Sequence, residues 1–237
     1  MEIINLASSS AGNCYVLYDG HSYLLLEAGI KYKDLVKELT RKGLKLTDIK
    51  HVLVSHNHKD HSVAANDLSR FMTVWGSEIT LESVTGKKKV LQPNRWNTVG
   101  GYKVIGFDTE HDCPGSLGFI IKSLATDEQL LFATDTKYIR YNLKQFKFDY
   151  VMIECNYDDD YIEQIDISPY LKRRLINSHM GLRTVIKTLK SLDLSVCKGI
   201  YLLHLSDRHA NEDKMLNTVM AETGVSTYVA LKHGGVR

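Results

Sequence analysis

The chain has 237 residues with 30 basic and 28 acidic side chains, so its formal net charge at pH 7 is only +2. This length allows one large α/β domain with a sizeable core, and we predict a single domain over residues 1–237. The near balance of charge excludes a global basic field of the kind that marks many nucleic-acid-binding proteins, so any such surface must be local.

The cysteines and the amino-terminal residues bear on the cellular compartment. Four cysteines stand far apart and form no C-x-x-C pair, which favours free thiols in a reducing compartment. The first residues lack a basic segment followed by an apolar core, and the chain has no apolar run long enough to span a membrane. We therefore predict a cytoplasmic protein with no membrane partner. The sequence leaves the oligomeric state open.

Two predicted strands and a small-residue loop open the chain. The strands cover residues 3–7 and 14–18, and residues 8–13 between them read Ser-Ser-Ser-Ala-Gly-Asn. Such a loop can bring backbone amides close to a ligand, or it can be a flexible turn. A third strand ends at Leu26, and an amphipathic helix that stops at Gly43 follows it.

An apolar strand at 52–54 leads into the densest group of metal-binding side chains. Residues 55–62 read Ser-His-Asn-His-Lys-Asp-His-Ser. Neutral imidazole and carboxylate are the ligands that zinc and similar divalent ions accept. Since one ion cannot easily use four neighbouring ligands, we expect the first two histidines and the Asp-His pair to face two adjacent ions. The four candidate ligands in this loop are His56, His58, Asp60 and His61.

Alternating helices and strands follow the loop. We predict helices over 63–71 and 77–84 and strands over 73–75, 102–107, 117–121, 129–133 and 150–153. His111 and Asp135 then lie just beyond strand ends. An acid in the position of Asp135 can bridge two cations, which makes both residues candidate ligands.

Three consecutive aspartates, Asp158 to Asp160, allow two interpretations. They could form a second metal site, but acids at the start of a helix are stabilised by the helix dipole, which is the simpler explanation. Ser168-Pro169 then predicts the start of another helix, because serine caps helices and proline is favoured in their first turn.

The last part of the chain supplies two more candidate histidines. A helix capped near Asn177 or Ser178 would place His179 at a helix start. The last clear core strand covers 199–203 and ends at His204, and Asn211 opens a final helix.

The loop sequence His56-Asn-His58-Lys-Asp60-His61 resembles the H-x-H-x-D-H signature of the metallo-β-lactamase superfamily. Further segments resemble, in order, the YycJ/WalJ-type branch of that superfamily: 8–14, 110–112, 114–119, 134–136, 154–156 and 203–206. This branch is similar to a group of DNA-processing exonucleases related to tRNase Z and RNase J. The resemblance implies an α/β fold, a four-layered αββα sandwich with the metals at one edge. Residues 136–203 are too few for the β-CASP insertion of the RNase J group.

The resemblance also implies the distribution of ligands. It places His56, His58 and His111 on one metal ion, Asp60, His61 and His204 on the other, and Asp135 between them. Flavodiiron members of the superfamily have glutamate at the position of His58, so the histidine favours hydrolysis over redox chemistry.

Further site residues can be suggested from the surrounding sequence. We expect catalytic roles for Asp60 and for His179, which could donate a proton or a hydrogen bond to a phosphate. We expect Ser10, Asn13 and Asn156 to contact the substrate. Capping and turn geometry are the alternative explanation for His179, Ser10 and Asn13.

Together these patterns predict a dinuclear metal-dependent hydrolase. Two divalent ions about 3.5 to 4 Å apart can share a hydroxide at neutral pH, and the surplus positive charge suits a phosphodiester. Zinc is the first choice of metal, with manganese or iron as alternatives. We expect a phosphodiesterase or exonuclease-like nuclease acting on DNA or RNA. The alternatives are a small-molecule hydrolase of a thioester, lactone or lactam, and an enzyme resembling the tRNA 3′-processing endonucleases. A catalytically silent scaffold would be expected to lack ligands, and none is missing here.

Overall fold

Two β-sheets form the centre of the computed structural model, which describes residues 1–237. The strands of the first sheet, in spatial order, are β1 (Glu2–Ser9), β2 (Gly12–Tyr18), β3 (Tyr23–Leu26), β4 (His51–Leu53), β5 (Thr73–Gly76) and β6 (Lys88–Val90). The second sheet contains β7 (Asn97–Val99), β8 (Tyr102–Asp108), β9 (Leu117–Ser123), β10 (Gln129–Ala133), β11 (Tyr150–Glu154), β12 (Gly199–Leu203) and β13 (Thr227–Val229). In this sheet, too, strands that are consecutive in the chain lie next to each other.

Seven helices connect and flank the strands. They are α1 (Tyr32–Arg41), α2 (Lys59–Ser62), α3 (Ala65–Leu68), α4 (Asp159–Gln164), α5 (Pro169–Ser178), α6 (Leu182–Lys190) and α7 (Glu212–Thr223). None of them is long and apolar enough to cross a membrane. All four cysteines are free thiols.

Three apolar clusters show that the layers are stacked in the order helix, sheet, sheet, helix. The middle cluster joins the inner faces of the two sheets, for example through Tyr15 of β2 and Phe132 of β10, whose ring centroids are 5.9 Å apart. A second cluster packs α1 and α3 on the outer face of the first sheet. A third packs α6 and α7 on the outer face of the second sheet. The predicted αββα sandwich is confirmed.

The strand directions bring several strand ends to one edge of the sandwich. In the second sheet β10, β11 and β12 are parallel, and β8 runs in the same direction because β9 is antiparallel to both β8 and β10. In the first sheet β3, β4 and β5 are parallel. Side chains that follow the carboxyl ends of parallel strands collect at the same edge, which is where open α/β sheets bind ligands.

Two sequence-based expectations differ from the structure in their local detail. The predicted loop over 8–13 is a tight hairpin, because β1 and β2 pair as far as Ser9 and Gly12. The predicted helix over 77–84 is a series of turns. There the Ser77 hydroxyl accepts from the Thr80 backbone N–H at 3.1 Å and bonds the Thr80 hydroxyl at 2.8 Å, which competes with helical hydrogen bonding.

The three aspartates serve the helix start and ion pairs. Asp158 caps α4, since its side chain accepts a hydrogen bond from the Asp160 backbone N–H. The Lys214 ammonium lies 2.8 Å from both Asp158 and Asp160. Arg183 also contacts Asp160 and donates its backbone N–H to Asp159. The simpler interpretation of this acidic run is therefore confirmed.

Gly29 allows the hairpin of the first sheet to touch the loop that carries the histidines. A Cβ atom at this position would lie 1.7 Å from the Asp60 carbonyl oxygen and 2.7 Å from the Asn13 backbone nitrogen. Both neighbours are backbone atoms, so neither can rotate away, and only glycine allows this approach.

We expect Gly29→Ala to lower the free energy of unfolding by about 3 kcal/mol, because the backbone around Asp60 must move. Urea denaturation with tryptophan fluorescence measures the change. Gly43→Asn is the matched control, because nothing lies within 4 Å of its Cβ position and asparagine tolerates its φ of +74°. An effect of Gly29→Ala no larger than the control would contradict the packing role.

Candidate metal centre

The predicted ligands approach one another at the edge where the two sheets meet. The first sheet supplies the loop and short helix α2 that follow β4, with the H-x-H-x-D-H motif. The second sheet supplies His111 after β8, Asp135 after β10 and His204 after β12. These ligands thus come from four strand ends on two different sheets.

Unusual backbone conformations aim three acidic or imidazole side chains into this edge. Glu27, Asp135 and His204 have φ values of +63°, +46° and +54°, in the left-handed region that side-chain-bearing residues rarely adopt. Each follows directly or closely on a strand, where the positive φ turns the chain sharply. Such conformations cost about 1–3 kcal/mol each and persist where the surrounding packing holds them.

One group of side chains consists of three histidines. The ring nitrogens of His56, His58 and His111 that could bind a metal lie within 4.8 Å of one another. The closest pair is His58 Nδ1 and His111 Nε2, at 3.2 Å. His111 Nδ1 donates to the Ser178 carbonyl oxygen at 3.0 Å. This hydrogen bond leaves the lone pair of His111 on Nε2, facing the group.

A second group combines two carboxylates with two histidines: Asp60, His61, Asp135 and His204. His61 Nε2 lies 3.4 Å from an Asp60 oxygen and 3.3 Å from Asp135 Oδ1. His204 Nε2 lies 3.5 Å from the same Asp60 oxygen, Oδ2. The other oxygen of Asp135 faces the first group, 3.9 Å from His56 Nε2 and 3.8 Å from His111 Nε2. Asp135 therefore lies between the two groups.

Buried polar atoms without partners show that these side chains fit a divalent cation. His56 Nε2 and His204 Nε2 are buried and have no hydrogen-bond partner, although such atoms are nearly always paired in proteins. Burial, assisted by the neighbouring His61, lowers the pKa of His56 to about 2, so this ring is neutral, as a metal ligand must be. Burial alone would raise the pKa of Asp135, but His204 and His61 hold it well below its usual value. The charged carboxylate and neutral imidazole are both forms that bind divalent metal. Burial disfavours the charged rings of His61 and His204, but Asp135 outweighs it and raises the pKa of both, so a metal ion would displace a proton from each.

A third group places His179 beside a buried glutamate. Asp135, Glu154, His179 and His204 also have potential ligand atoms within 4.8 Å of one another. His179 Nδ1 donates to Glu154 Oε1 at 2.6 Å, and His204 Nδ1 lies 3.3 Å from the same oxygen. The other oxygen, Oε2, accepts from the Thr136 backbone N–H at 3.0 Å. Burial disfavours the charged His179 ring, but the Glu154 carboxylate outweighs this and raises the pKa of His179.

His179 is not at a helix start, as the sequence had suggested. It caps the carboxyl end of α5 in an extended conformation, and α6 begins only at Leu182. The prediction was wrong because α5 continues to Ser178, so the residues interpreted as a cap for the next helix belong to the previous one. The strand-like geometry of His179 brings its ring to Glu154, and a helix dipole has no part in this placement.

The predicted substrate contacts fall into two kinds. Ser10 is exposed in the β1–β2 hairpin and lines an open cavity of about 360 Å³ together with Asp60. Asn13 and Asn156 are buried and face histidines instead of solvent. The Asn13 amide nitrogen lies 3.1 Å from His61 Nε2, and Asn156 donates to the His204 carbonyl oxygen at 2.9 Å. The amide nitrogens of both side chains thus contact histidines of the site, and a substrate contact for Asn13 and Asn156 stays a prediction.

Two functional glutamates are missing from the sequence-based prediction. Glu27 is fully buried, accepts from the Ser55 backbone N–H at 3.2 Å and lies 3.6 Å from His61 Nδ1. Glu154 is fully buried as well. A signal was available, since Glu27 directly follows β3 and Glu154 is the last residue of β11, so that both acids come directly after an apolar run, as the predicted ligand His204 does.

Comparison with known proteins shows the family and the fold of this chain. The profile of the family described as Beta-lactamase superfamily domain matches residues 24–204. The exodeoxyribonuclease WalJ of Streptococcus pneumoniae strain D39 is 25% identical over 221 residues, covering 85% of this chain and 80% of that protein. The exodeoxyribonuclease YycJ of Bacillus anthracis is 25% identical over 218 residues, covering 85% and 81%. The metallo-β-lactamase fold protein YhfI of Bacillus subtilis superposes with a TM-score of 0.76 at 17% identity, covering 99% and 98% of the two chains.

Asp135 faces both ligand groups and Asp60 only one, so replacing each by asparagine should cause different losses of metal. Asp135→Asn is expected to lose more divalent metal than Asp60→Asn, because Asp135 faces both groups whereas Asp60 belongs to one. Inductively coupled plasma mass spectrometry of the purified proteins measures the content, and far-UV circular dichroism checks the fold. Asp67→Asn, which changes a half-exposed acid on α3 outside both groups, is the control and should retain the wild-type content. Equal metal content in all four proteins would contradict the ligand assignment.

Proposed function

This chain belongs to the Beta-lactamase superfamily and is a metal-dependent hydrolase, and we propose that it is an exonuclease-like phosphodiesterase that acts on DNA or RNA. The observation that carries the proposal is Asp135, whose two carboxylate oxygens face two separate ligand groups. This arrangement suits a pair of adjacent cations, the usual requirement of metal-assisted phosphodiester cleavage. The two relatives named as exodeoxyribonucleases support the choice of substrate.

We assign one ion to His56, His58 and His111 and the other to Asp60, His61 and His204, with Asp135 shared. Zinc is the first choice, because neutral imidazole and carboxylate suit it, and manganese or iron are the alternatives. When bound, the ions supply Lewis acidity and lower the pKa of water, so that a nucleophile is available at neutral pH. Three of the assigned histidines have a second ring contact: His111 Nδ1 with the Ser178 carbonyl oxygen, His56 Nδ1 with Ser55 Oγ, and His204 Nδ1 with Glu154 Oε1.

The charge of the chain's own ligands favours an anionic substrate. Asp60 and Asp135 bring two negative charges to the ligand set, and the other assigned ligands are neutral when they bind metal. Two divalent cations carry four positive charges, so the cations and their direct ligands together retain a surplus. A phosphodiester that gains negative charge in its transition state is stabilised by such a field.

We assign His179 as the residue that donates a proton or hydrogen bond to the phosphodiester. Glu154 accepts from Nδ1 at 2.6 Å, which fixes the ring and leaves Nε2 for the substrate. The side chain of His179 is 19% exposed, whereas that of Glu154 is fully buried. His179 is thus the catalytic candidate and Glu154 the positioning residue. Asn13 and Asn156 similarly act by positioning His61 and His204.

A small-molecule hydrolase is the second candidate and has less support. Such an enzyme would need a closed apolar pocket for its ester, lactone or lactam. The cavity that contains Asp60 is open and bears polar groups, among them Lys31, Asp34 and Lys59. A tRNA 3′-processing activity would use the same metal chemistry, so substrate tests must separate it from the first choice.

We propose that the protein is cytoplasmic. Its four free thiols support this location, because thiols stay reduced there.

The proposed activity can be tested on a panel of end-labelled substrates. We expect the wild type to degrade single-stranded or double-stranded DNA or RNA with zinc, manganese or iron, and to lose activity when a chelator removes the metal. Asp60→Ala should show no cleavage, because the second ligand group loses one of its two carboxylates. Cleavage confined to small esters, or full activity in Asp60→Ala, would overturn the proposal. Product lengths on a denaturing gel distinguish stepwise removal of nucleotides from a single internal cut.

We expect His179→Ala to reduce kcat by about 10²–10⁴-fold with unchanged metal content, because general acid catalysis typically contributes this much. Glu154→Gln should reduce kcat less, since His179 remains but is held less firmly. Kinetics on a labelled oligonucleotide and metal analysis are measured on the same samples. Loss of metal from His179→Ala would make His179 a ligand and contradict the assigned role. His21→Ala, which changes an exposed histidine in a turn, serves as the control.

A further inference from the structure

A basic groove lies outside the metal centre. It has a volume of about 620 Å³ and is bounded on one side by residues 137–144, which follow Asp135 along the chain. The opposite side is one face of α6 and the residue beyond it. That face consists of Thr184, Lys187, Thr188 and Ser191, spaced as neighbours on a helix surface.

The groove concentrates positive charge in a chain whose overall charge is nearly balanced. Its lining includes four cationic side chains, Lys137, Arg140, Lys144 and Lys187, and no aspartate or glutamate. No carboxylate lies within 4.0 Å of the ammonium groups of the three lysines, whereas Arg140 pairs with Glu110 at 2.8 Å. A net charge of +2 is compatible with a local basic surface, and this groove is such a surface.

The groove and the metal centre share the same chain segments. Lys137 donates its ammonium group to Asn177 Oδ1 at 3.0 Å, and the next residue, Ser178, accepts from His111. The backbone N–H of Lys137 also donates to the Glu110 carbonyl oxygen at 2.9 Å, directly before His111 in the chain. Lys137, at one end of the groove, therefore contacts Asn177 and Glu110. Asn177 precedes Ser178, which accepts from His111, and Glu110 precedes His111 itself.

We propose that this groove binds the sugar-phosphate backbone of a single polynucleotide strand, some nucleotides away from the bond that is cleaved. The inference rests on the proposed function and specifies how that site holds its substrate. Lysines on both walls would contact successive phosphates, and the hydroxyl groups of Thr184 and Thr188 would donate to phosphate oxygens. A groove of this volume holds a ligand of about drug size, which corresponds to a short piece of one strand.

The distribution of the lysines argues for an extended polyanion over a small one. Lys144 lies in the segment that forms one wall, and Lys187 lies on the helix that forms the other. A free phosphate is bound by donors that converge on one point, whereas a strand needs charges spread along its path. The absence of acidic lining residues removes the repulsion that such a path would otherwise meet.

The test compares two double variants of equal charge in the metal-loaded enzyme. Lys144→Glu/Lys187→Glu reverses one charge on each wall. Lys45→Glu/Lys103→Glu reverses two exposed lysines outside the groove that have no carboxylate within 4.0 Å, so both variants have the same net charge. Degradation of a fluorescein-labelled 20-nucleotide oligothymidylate is followed between 50 and 200 mM salt, together with hydrolysis of bis(p-nitrophenyl) phosphate.

We expect the groove variant to raise KM for the oligonucleotide about tenfold, with kcat nearly unchanged. The slope of log(kcat/KM) against log[salt] should become shallower by about 1.4, because two phosphate contacts are lost. Hydrolysis of bis(p-nitrophenyl) phosphate should match that of the wild type, since this ester is too small to reach the groove. The control variant should follow the wild type on both substrates.

Equal KM values for the groove variant and the control variant would overturn the groove proposal and leave the proposed function standing. Loss of bis(p-nitrophenyl) phosphate hydrolysis in the groove variant alone would also overturn it, because the groove would then act on the metal centre itself. A wild-type enzyme that hydrolyses the small ester but degrades neither this oligonucleotide nor a 20-nucleotide oligouridylate would refute the proposed function, and the groove proposal with it.

Discussion

The compensation of buried negative charge is the constraint on which this structure depends. Glu27, Asp135 and Glu154 are almost completely buried, and Asp60 is partly buried, all at one edge of the sandwich. Placing carboxylates together in a low-dielectric interior is very costly unless cations and hydrogen-bond donors meet them. The histidines supply part of this compensation, and divalent metal would supply the rest. The concentration of acids, more than any single histidine, distinguishes this edge from an ordinary sheet end.

Backbone strain and packing maintain that charge arrangement. Asp135 and His204 turn into the site through left-handed conformations at the ends of β10 and β12. The strands before them are buried on both faces, since one face contacts the other sheet and the opposite face contacts α6 and α7. Neither strand can shift to relax the turn without opening one of these cores. The three apolar clusters are therefore also what holds the ligands in position.

The sequence predicted much of the fold and most of the candidate site, for identifiable reasons. The apolar strands β8 to β12 appear as short apolar runs, and His111, Asp135 and His204 follow them as polar residues after a strand end. Glu27 and Glu154 follow the same pattern but carry no known motif, so their importance became visible only when the structure showed complete burial. The position of His179 was misjudged because helix ends vary by a residue or more in any sequence-based assignment. The groove between residues 137–144 and α6 is not contiguous in sequence, so no local pattern could reveal it.

The division of the ligands between two sheets has a consequence for how the molecule is assembled. The histidine loop lies in the first half of the chain, whereas His204 is reached only after β11 and three more helices have been added. During synthesis the nascent chain can expose the H-x-H-x-D-H loop long before His204, the last member of the second ligand group, has been added. Tight metal capture must therefore wait until the two sheets have docked, and the bound ion would then couple the two halves of the sandwich thermodynamically. In this fold, metal binding would stabilise the assembled sandwich at a late step of folding, in addition to being required for chemistry.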